Sequence, residues 1–223
     1  MDEHADAMHA MLGKLGISNT IDVVIAGSAV MQVLLREAWD GSDVDMWATA
    51  AAFPSIQADL VKAGYALSRH VPIDDSSVYV RMSATIKCIH EFTADTKPLV
   101  QVITIKGDSA LKAVEAFDIT ACQMYYVPKK KLLAAASPDA LDALFKRQLV
   151  FSQSALKTQA PMEWIRTLKR VCKYIKRGFV IEDAQWTRML QAVSERLLGD
   201  EAFMRWVQSG NRHGHPFIRF FLD

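Results

Sequence analysis

The feature that most constrains this chain is a change of hydrophobic period near residue 129. Before it, short apolar runs of strand length alternate with segments patterned at helical spacing. After it, every segment reads helical. IDVVIAG stops at Gly27 as a buried strand does, and SAVMQVLLREAW follows with apolar positions at Val30, Val33, Leu34 and Trp39. DGS at 40–42 is a turn, and DVDMWA alternates into a second strand. An opening helix over 5–15 (Ala5, Met8, Met11, Leu12, Leu15) makes the start of the chain helix, strand, helix, strand.

The alternation continues. Pro54 opens the helix SIQADLVKAGYAL, closed near Gly64, and residues 76–92 are rich enough in β-branched and aromatic side chains for one long strand or a hairpin. LVQVITI is a short buried strand ended by Lys106-Gly107, and Asp108 or Ser109 can cap the helix ALKAVEAF. Asp118 then begins ITACQMYYV, a strand halted by Pro128. KKKLLAAASPDALDALFKRQLVF, EWIRTLKRVCKYIKRGF, DAQWTRMLQAVSERLL and EAFMRWVQ follow as helices. The expectation is an α/β sheet domain over 1–128 and a helical region over 129–223 packed on it, with no repeat or low-complexity linker between.

Composition narrows the function classes. A length of 223 residues can bury a real core, and a net charge of +1 gives no global reason for a nucleic-acid or anionic-membrane partner. Such a partner would need a local patch. Cys88, Cys122 and Cys172 are far apart, with no CxxC or Cys/His cluster in the sequence, so they read as buried thiols and indicate neither zinc nor disulfides. The start MDEHADAMHAMLGKLG is acidic and unlike a signal peptide, and no apolar run approaches the roughly 18 residues of a membrane span. These features predict a cytoplasmic protein with no membrane partner.

The chemistry concentrates at Gly27-Ser28 and Ser42-Asp43-Val44-Asp45-Met46. Gly-Ser at a helix N-terminus offers backbone N–H groups and the positive end of the helix dipole, which together cradle phosphate. Asp43 and Asp45 stand two residues apart on a strand, so both carboxylates face one side. Side by side they repel unless a hard divalent cation sits between them, and Mg²⁺ bound this way bridges to substrate phosphates. Two such ions can stabilise the attacking and leaving oxygens of an in-line displacement.

At these residues the sequence resembles the polymerase-β nucleotidyltransferase superfamily, whose pattern hG[GS] then [DE]h[DE]h reads here as Ala26-Gly27-Ser28 and Asp43-Val44-Asp45-Met46. More narrowly, AGSAVMQVLL, WDGSDVDMW, VQVI, FDITACQ and KYIKRGF are similar to segments of nucleotidyltransferase-like proteins of fungi and large DNA viruses, over roughly residues 22–180. The resemblance implies a mixed sheet flanked by helices, a nucleoside triphosphate held at Gly27, Ser28 and Ser42, and Mg²⁺ or Mn²⁺ on the carboxylates. It also implies a third acid in an h[DE]h context on a later strand. In LVQVITI that position is Gln101, which is neutral; in AFDITA it is Asp118, the residue expected to complete the set.

EWIRTLKRVCKYIKRGF carries Arg166, Lys169, Arg170, Lys173, Lys176 and Arg177 at three- and four-residue spacing, with no acid between 164 and 181. The face suits triphosphate or an RNA backbone, with Lys173 and Arg177 expected at the nucleotide. Trp164, Leu168 and Cys172 turn elsewhere, and Tyr174 and Phe179 read as core more readily than as base-stacking groups. Lys129-Lys130-Lys131 reads as a solvated turn, and His213 and His215 as surface histidines. The predicted activity is transfer of a nucleoside monophosphate from an NTP to an acceptor hydroxyl, that of RNA among the candidates. If Gln101 holds the third position, the chain is instead an inactive nucleotide-binding or oligomerising module.

Overall fold

In a computed structural model of the chain, residues 2–73, 85–159 and 161–199 are described. The first part of the 76–92 strand, EAFMRWVQ, His213, His215 and the terminal HPFIRFFLD lie outside the described residues. The strands are β1 (Val24–Ala26), β2 (Val44–Thr49), β3 (Ala66–Pro72), β4 (Ile86–Thr93), β5 (Val100–Ile105), β6 (Met124–Val127) and β7 (Leu132–Ala135). The helices are α1 (Asp2–Leu15), α2 (Ser28–Leu35), α3 (Phe53–Lys62), α4 (Ala110–Glu115), α5 (Ala140–Phe145), α6 (Gln153–Thr158), α7 (Pro161–Ile175) and α8 (Asp183–Leu198).

Among the described residues the strands form one mixed sheet in the order β3-β4-β5-β2-β1-β6-β7. Only β2 and β5 run parallel, and the crossover they require is the α3-β3-β4 segment. The chain divides into two compact units. The first runs to Phe117 and takes in Ala121–Phe145; the second holds Asp118–Thr120 and the chain from Lys146. No described helix is long and apolar enough to cross a membrane.

In the first unit β3 is mostly exposed, while the central strands β1, β2 and β5 are covered on both sheet faces. On one, Val24, Trp47, Ile103 and Ile105 pack with Ala113 and Val114 of α4. On the other, the pleat points Ile25, Met46, Val102 and His90 towards α1 and α3, where His9 meets the Tyr126 hydroxyl at 3.3 Å and the Phe53 ring stacks on His90. Burial, with His70 beside it, pushes the His90 pKa down to about 4. This second face corrects the reading that no Cys/His cluster exists, because strand pairing brings His70, Cys88 and His90 together. Of the cysteines read as buried, Cys88 and Cys122 are; Cys172, on the flank of α7, is exposed.

Two element readings are corrected. ITACQMYYV is a strand only over β6, because Ile119 bridges Phe151, and the Thr120 N–H donates to the Val150 carbonyl at 2.8 Å before a 3₁₀ turn at Thr120–Cys122. The helical reading from residue 129 fails first at β7. Pro128–Lys130 forms a 3₁₀ turn, Lys131 at φ +48° reverses the chain, and Leu132–Ala135 pairs back onto β6. The three lysines are exposed at that turn, and Lys131 is ion-paired with Asp6 of α1.

In the second unit, Trp164 meets Phe151 edge-on at 5.1 Å and Tyr174 meets Phe179 at 5.6 Å, so these aromatics are core. Trp164→Ala is expected to lower stability by about 3–5 kcal/mol, through lost burial and the cavity left behind. Urea denaturation followed by circular dichroism checks it. A loss below about 1 kcal/mol would mean that Trp164 does not anchor this core.

Candidate functional site

Cross-strand register turns the sheet into rows. Val24, Trp47, Ile103, Ile89 and Val71 form one row running from β1 to β3. Two residues along each strand, and therefore on the same face, the next row reads Ala26, Asp45, Gln101, Glu91, Arg69. The apolar layer under α4 thus gives way in one step to a polar row with a carboxylate at the β1–β2 end. Gln101 lies directly beside Asp45. Its amide donates to Glu91 at 3.5 Å, and Arg69 pairs with the same Glu91 oxygen at 3.6 Å.

Gly27 joins β1 to α2 with φ +76° and ψ −142°, a backbone region that side chains other than glycine's scarcely enter. A Cβ built there would stand 3.3 Å from Oδ2 of Asp45. The glycine therefore permits both the turn into the helix and the close passage of the carboxylate. Ser28, the first residue of α2, is buried, and its hydroxyl donates to the Asp43 carboxylate or carbonyl, each at 3.4 Å. The Ser42 hydroxyl donates to Ser28 Oγ at 2.8 Å. Asp43 itself stands just before β2 and not within it.

Gln32, one turn into α2, holds this loop in place. Its amide nitrogen donates to Ser42 Oγ at 2.9 Å and to the Ser28 carbonyl at 3.2 Å, and its oxygen accepts from the Trp39 N–H at 2.6 Å. Gln32→Ala is expected to loosen the 39–43 loop and weaken any ligand of the site about tenfold. The loss of roughly three hydrogen bonds worth about 1 kcal/mol each sets the upper end. Binding titrations of the variant check it; unchanged affinity would remove Gln32 from the site's support.

The other residues expected at the site belong to the second unit. Asp118 belongs to the second unit, where Thr167 and Arg170 both donate to its carboxylate. Lys173 and Arg177 also belong to the second unit, Lys173 on α7 and Arg177 in the turn after it, with the Arg177 guanidinium 5.6 Å from the Tyr174 ring centroid. At about 3.6 residues per turn, the helix buries Trp164, Ile165, Thr167, Val171 and Tyr174 and carries Arg166, Lys169, Arg170 and Lys173 on the opposite side. Sequence reading misses Glu91. Its place beside Gln101 follows from register alone, which no local pattern encodes.

No protein-family model matches the chain, and no curated protein matches it. Solved structures do. A tRNA-processing enzyme with CTP is similar at 14% identity and TM-score 0.52, over 96% of this chain and 54% of that one. A CCA-adding enzyme with ATP is similar at 16% identity and TM-score 0.51, over 96% and 46%. A CCA-adding enzyme with CTP gives 15% and 0.52, over 87% and 44%. The chain thus spans about half the length of these structures. At these identities the likeness is one of fold. The mixed sheet with flanking helices and a helical C-terminal region is the nucleotidyltransferase type.

Proposed function

We propose that the chain binds a nucleoside triphosphate at Gly27, Ser28 and Ser42 with a divalent cation on Asp43 and Asp45, and transfers its nucleoside monophosphate to an acceptor hydroxyl. The observation that carries this reading is the approach of Asp45 Oδ2 to within 3.3 Å of a Cβ position at Gly27. It sets a carboxylate against the glycine that opens a helix N-terminus. Anion-binding backbone and cation-binding oxygens then lie together, which a metal–triphosphate complex needs and an isolated Asp-x-Asp turn does not supply.

The donor set is two carboxylates beside serine hydroxyls, which suits Mg²⁺ or Mn²⁺ over softer ions. When bound, such a cation supplies charge stabilisation for the phosphates and for departing pyrophosphate. The residues of the chain do the rest. The first N–H groups of α2 and the Ser28 hydroxyl orient the phosphates, with Gln32 fixing Ser42 against them. As the acceptor oxygen bonds to the α-phosphorus, the bond to the bridging oxygen breaks and pyrophosphate leaves. The hydroxyl proton would pass to a carboxylate of the chain, for which Asp118 is the expected residue; its oxygen accepts from Thr167 and Arg170. An RNA 3′ hydroxyl is the acceptor we favour, supported by the cationic side of α7. The narrower likeness to proteins of fungi and large DNA viruses rests on the quoted sequence segments alone.

A second reading is favoured by Gln101. It occupies the β5 position beside Asp45; if the third acid of the superfamily pattern belongs there and not at Asp118, the set is broken, because an amide accepts no proton. Under that reading the chain binds nucleotide without transferring it. Pyrophosphate release from radiolabelled NTPs in the presence of RNA separates the two. Release by the wild type that is lost in Asp45→Asn supports transfer. Binding without release, with turnover gained in Gln101→Asp, supports the binding module.

A further inference from the structure

The sheet face opposite Asp45 carries a second constellation. Strand pairing aligns His70 of β3 with His90 of β4, and Cys88 lies two residues before His90 on the same side of the strand. His70 Nδ1 and His90 Nδ1 are 3.1 Å apart, and His90 Nε2 is 3.0 Å from Cys88 Sγ. One ligand atom from each residue lies within 4.8 Å of the others. Cys88 and His90 are buried at 8% and 6% exposure, deep enough to exclude bulk water from two of the three ligands, while His70 is exposed and opens a path for an ion.

We propose that His70, Cys88 and His90 form a transition-metal site for Zn²⁺ or a metal of similar softness, fastening the edge strand β3 to β4. Two imidazoles and a thiolate select against Mg²⁺ and favour zinc-like ions. With Zn–N near 2.0–2.1 Å and Zn–S near 2.3 Å, a tetrahedral site spaces its ligand atoms roughly 3.3–3.7 Å apart. His90 would give an ion one of its two nitrogens, so only one of the 3.0 and 3.1 Å contacts belongs to the ligand set, whose three atoms lie within 4.8 Å of one another. His70, the exposed member, is the ligand with room to adjust. Three protein ligands leave the fourth position for water. The surroundings orient the buried ligands: Phe53 stacks on the His90 ring at 3.8 Å, and the Thr104 hydroxyl lies 2.7 Å from Cys88 Sγ. Purely as a hydrogen-bond chain the three residues need no metal, and the test separates the two states.

The full chain, stripped by a chelator, is titrated with Co²⁺. The expected result is a stoichiometric thiolate-to-cobalt charge-transfer band, lost in Cys88→Ser and kept in Cys172→Ser. The carboxylates of Asp43 and Asp45 contain no sulfur and cannot give this band, so failure here is distinct from failure of the nucleotide site. His70→Ala, at an exposed position, is expected to keep the far-ultraviolet circular dichroism and lower Zn²⁺ affinity at least about tenfold. No charge-transfer band in the wild type, a band that survives Cys88→Ser, or unchanged Zn²⁺ affinity in His70→Ala would each overturn the proposal. If Cys88→Ser does not fold, the His70→Ala affinity decides alone.

Discussion

Replacing Asp43 and Asp45 together by alanine is expected to lower Mg²⁺-dependent NTP affinity about a hundredfold or more. The reason lies in charge and placement. A triphosphate would bring several negative charges towards the N-terminus of α2, and the carboxylates of Asp43 beside Ser28 and Asp45 beside Gly27 repel it unless a cation lies between them. Removing the carboxylates removes the cation's anchor, and several kcal/mol of metal-mediated attraction correspond to a hundredfold or more. Metal-free affinity is expected to rise slightly in the same variant, because the repulsion goes too. That opposite sign marks a metal-bridging pair. A merely unfolded variant would lose both affinities, and circular dichroism identifies it.

Gly27→Ala is expected to cost about 1–3 kcal/mol of stability and to weaken the nucleotide further than that strain explains. The first part is backbone: φ +76° with ψ −142° is a region that alanine enters only under strain. The second is steric. The new methyl would sit 3.3 Å from Asp45 Oδ2, closer than most such contacts, so the carboxylate or the turn must shift by a few tenths of an ångström. A suitable control is Gly64→Ala, whose φ of +85° also favours glycine but whose Cβ would meet nothing within 4 Å. The control is expected to lose stability and keep affinity. Equal behaviour of the two variants would reduce Gly27 to a turn residue.

Much of this architecture is legible in the amino-acid sequence, and the exceptions share a cause. Apolar runs ending at glycine mark β1 and β5, and Gly27-Ser28 with Asp43-Val44-Asp45 marks the loop–helix and the strand next to it. Both signals are local, within a few residues of the chain. Register is not local. Gln101 stands beside Asp45, and Glu91 beside Gln101, only because β2 pairs parallel with β5 and β5 antiparallel with β4, so neither can be ranked from its own neighbours. His70, Cys88 and His90 are gathered by the same pairing and have no metal-motif spacing in sequence. The partners of Asp118 are non-local too. Its local context, Phe117-Asp118-Ile119, matches a catalytic pattern, and Thr167 and Arg170, which donate to its carboxylate, come from 49 and 52 residues away. At β7, the alanine-rich run LLAA reads as helix, and the reversal at Lys131 makes it an edge strand.

The most direct test of the proposed nucleotide site is calorimetric titration of the wild-type chain with CTP and ATP, with and without Mg²⁺. Saturable binding that strengthens at least about tenfold with Mg²⁺ is the expected result. Absence of binding to either nucleotide in the presence of Mg²⁺ would contradict it, and the Gly27–Asp45 arrangement would then be a structural feature of the sheet with no ligand of this class.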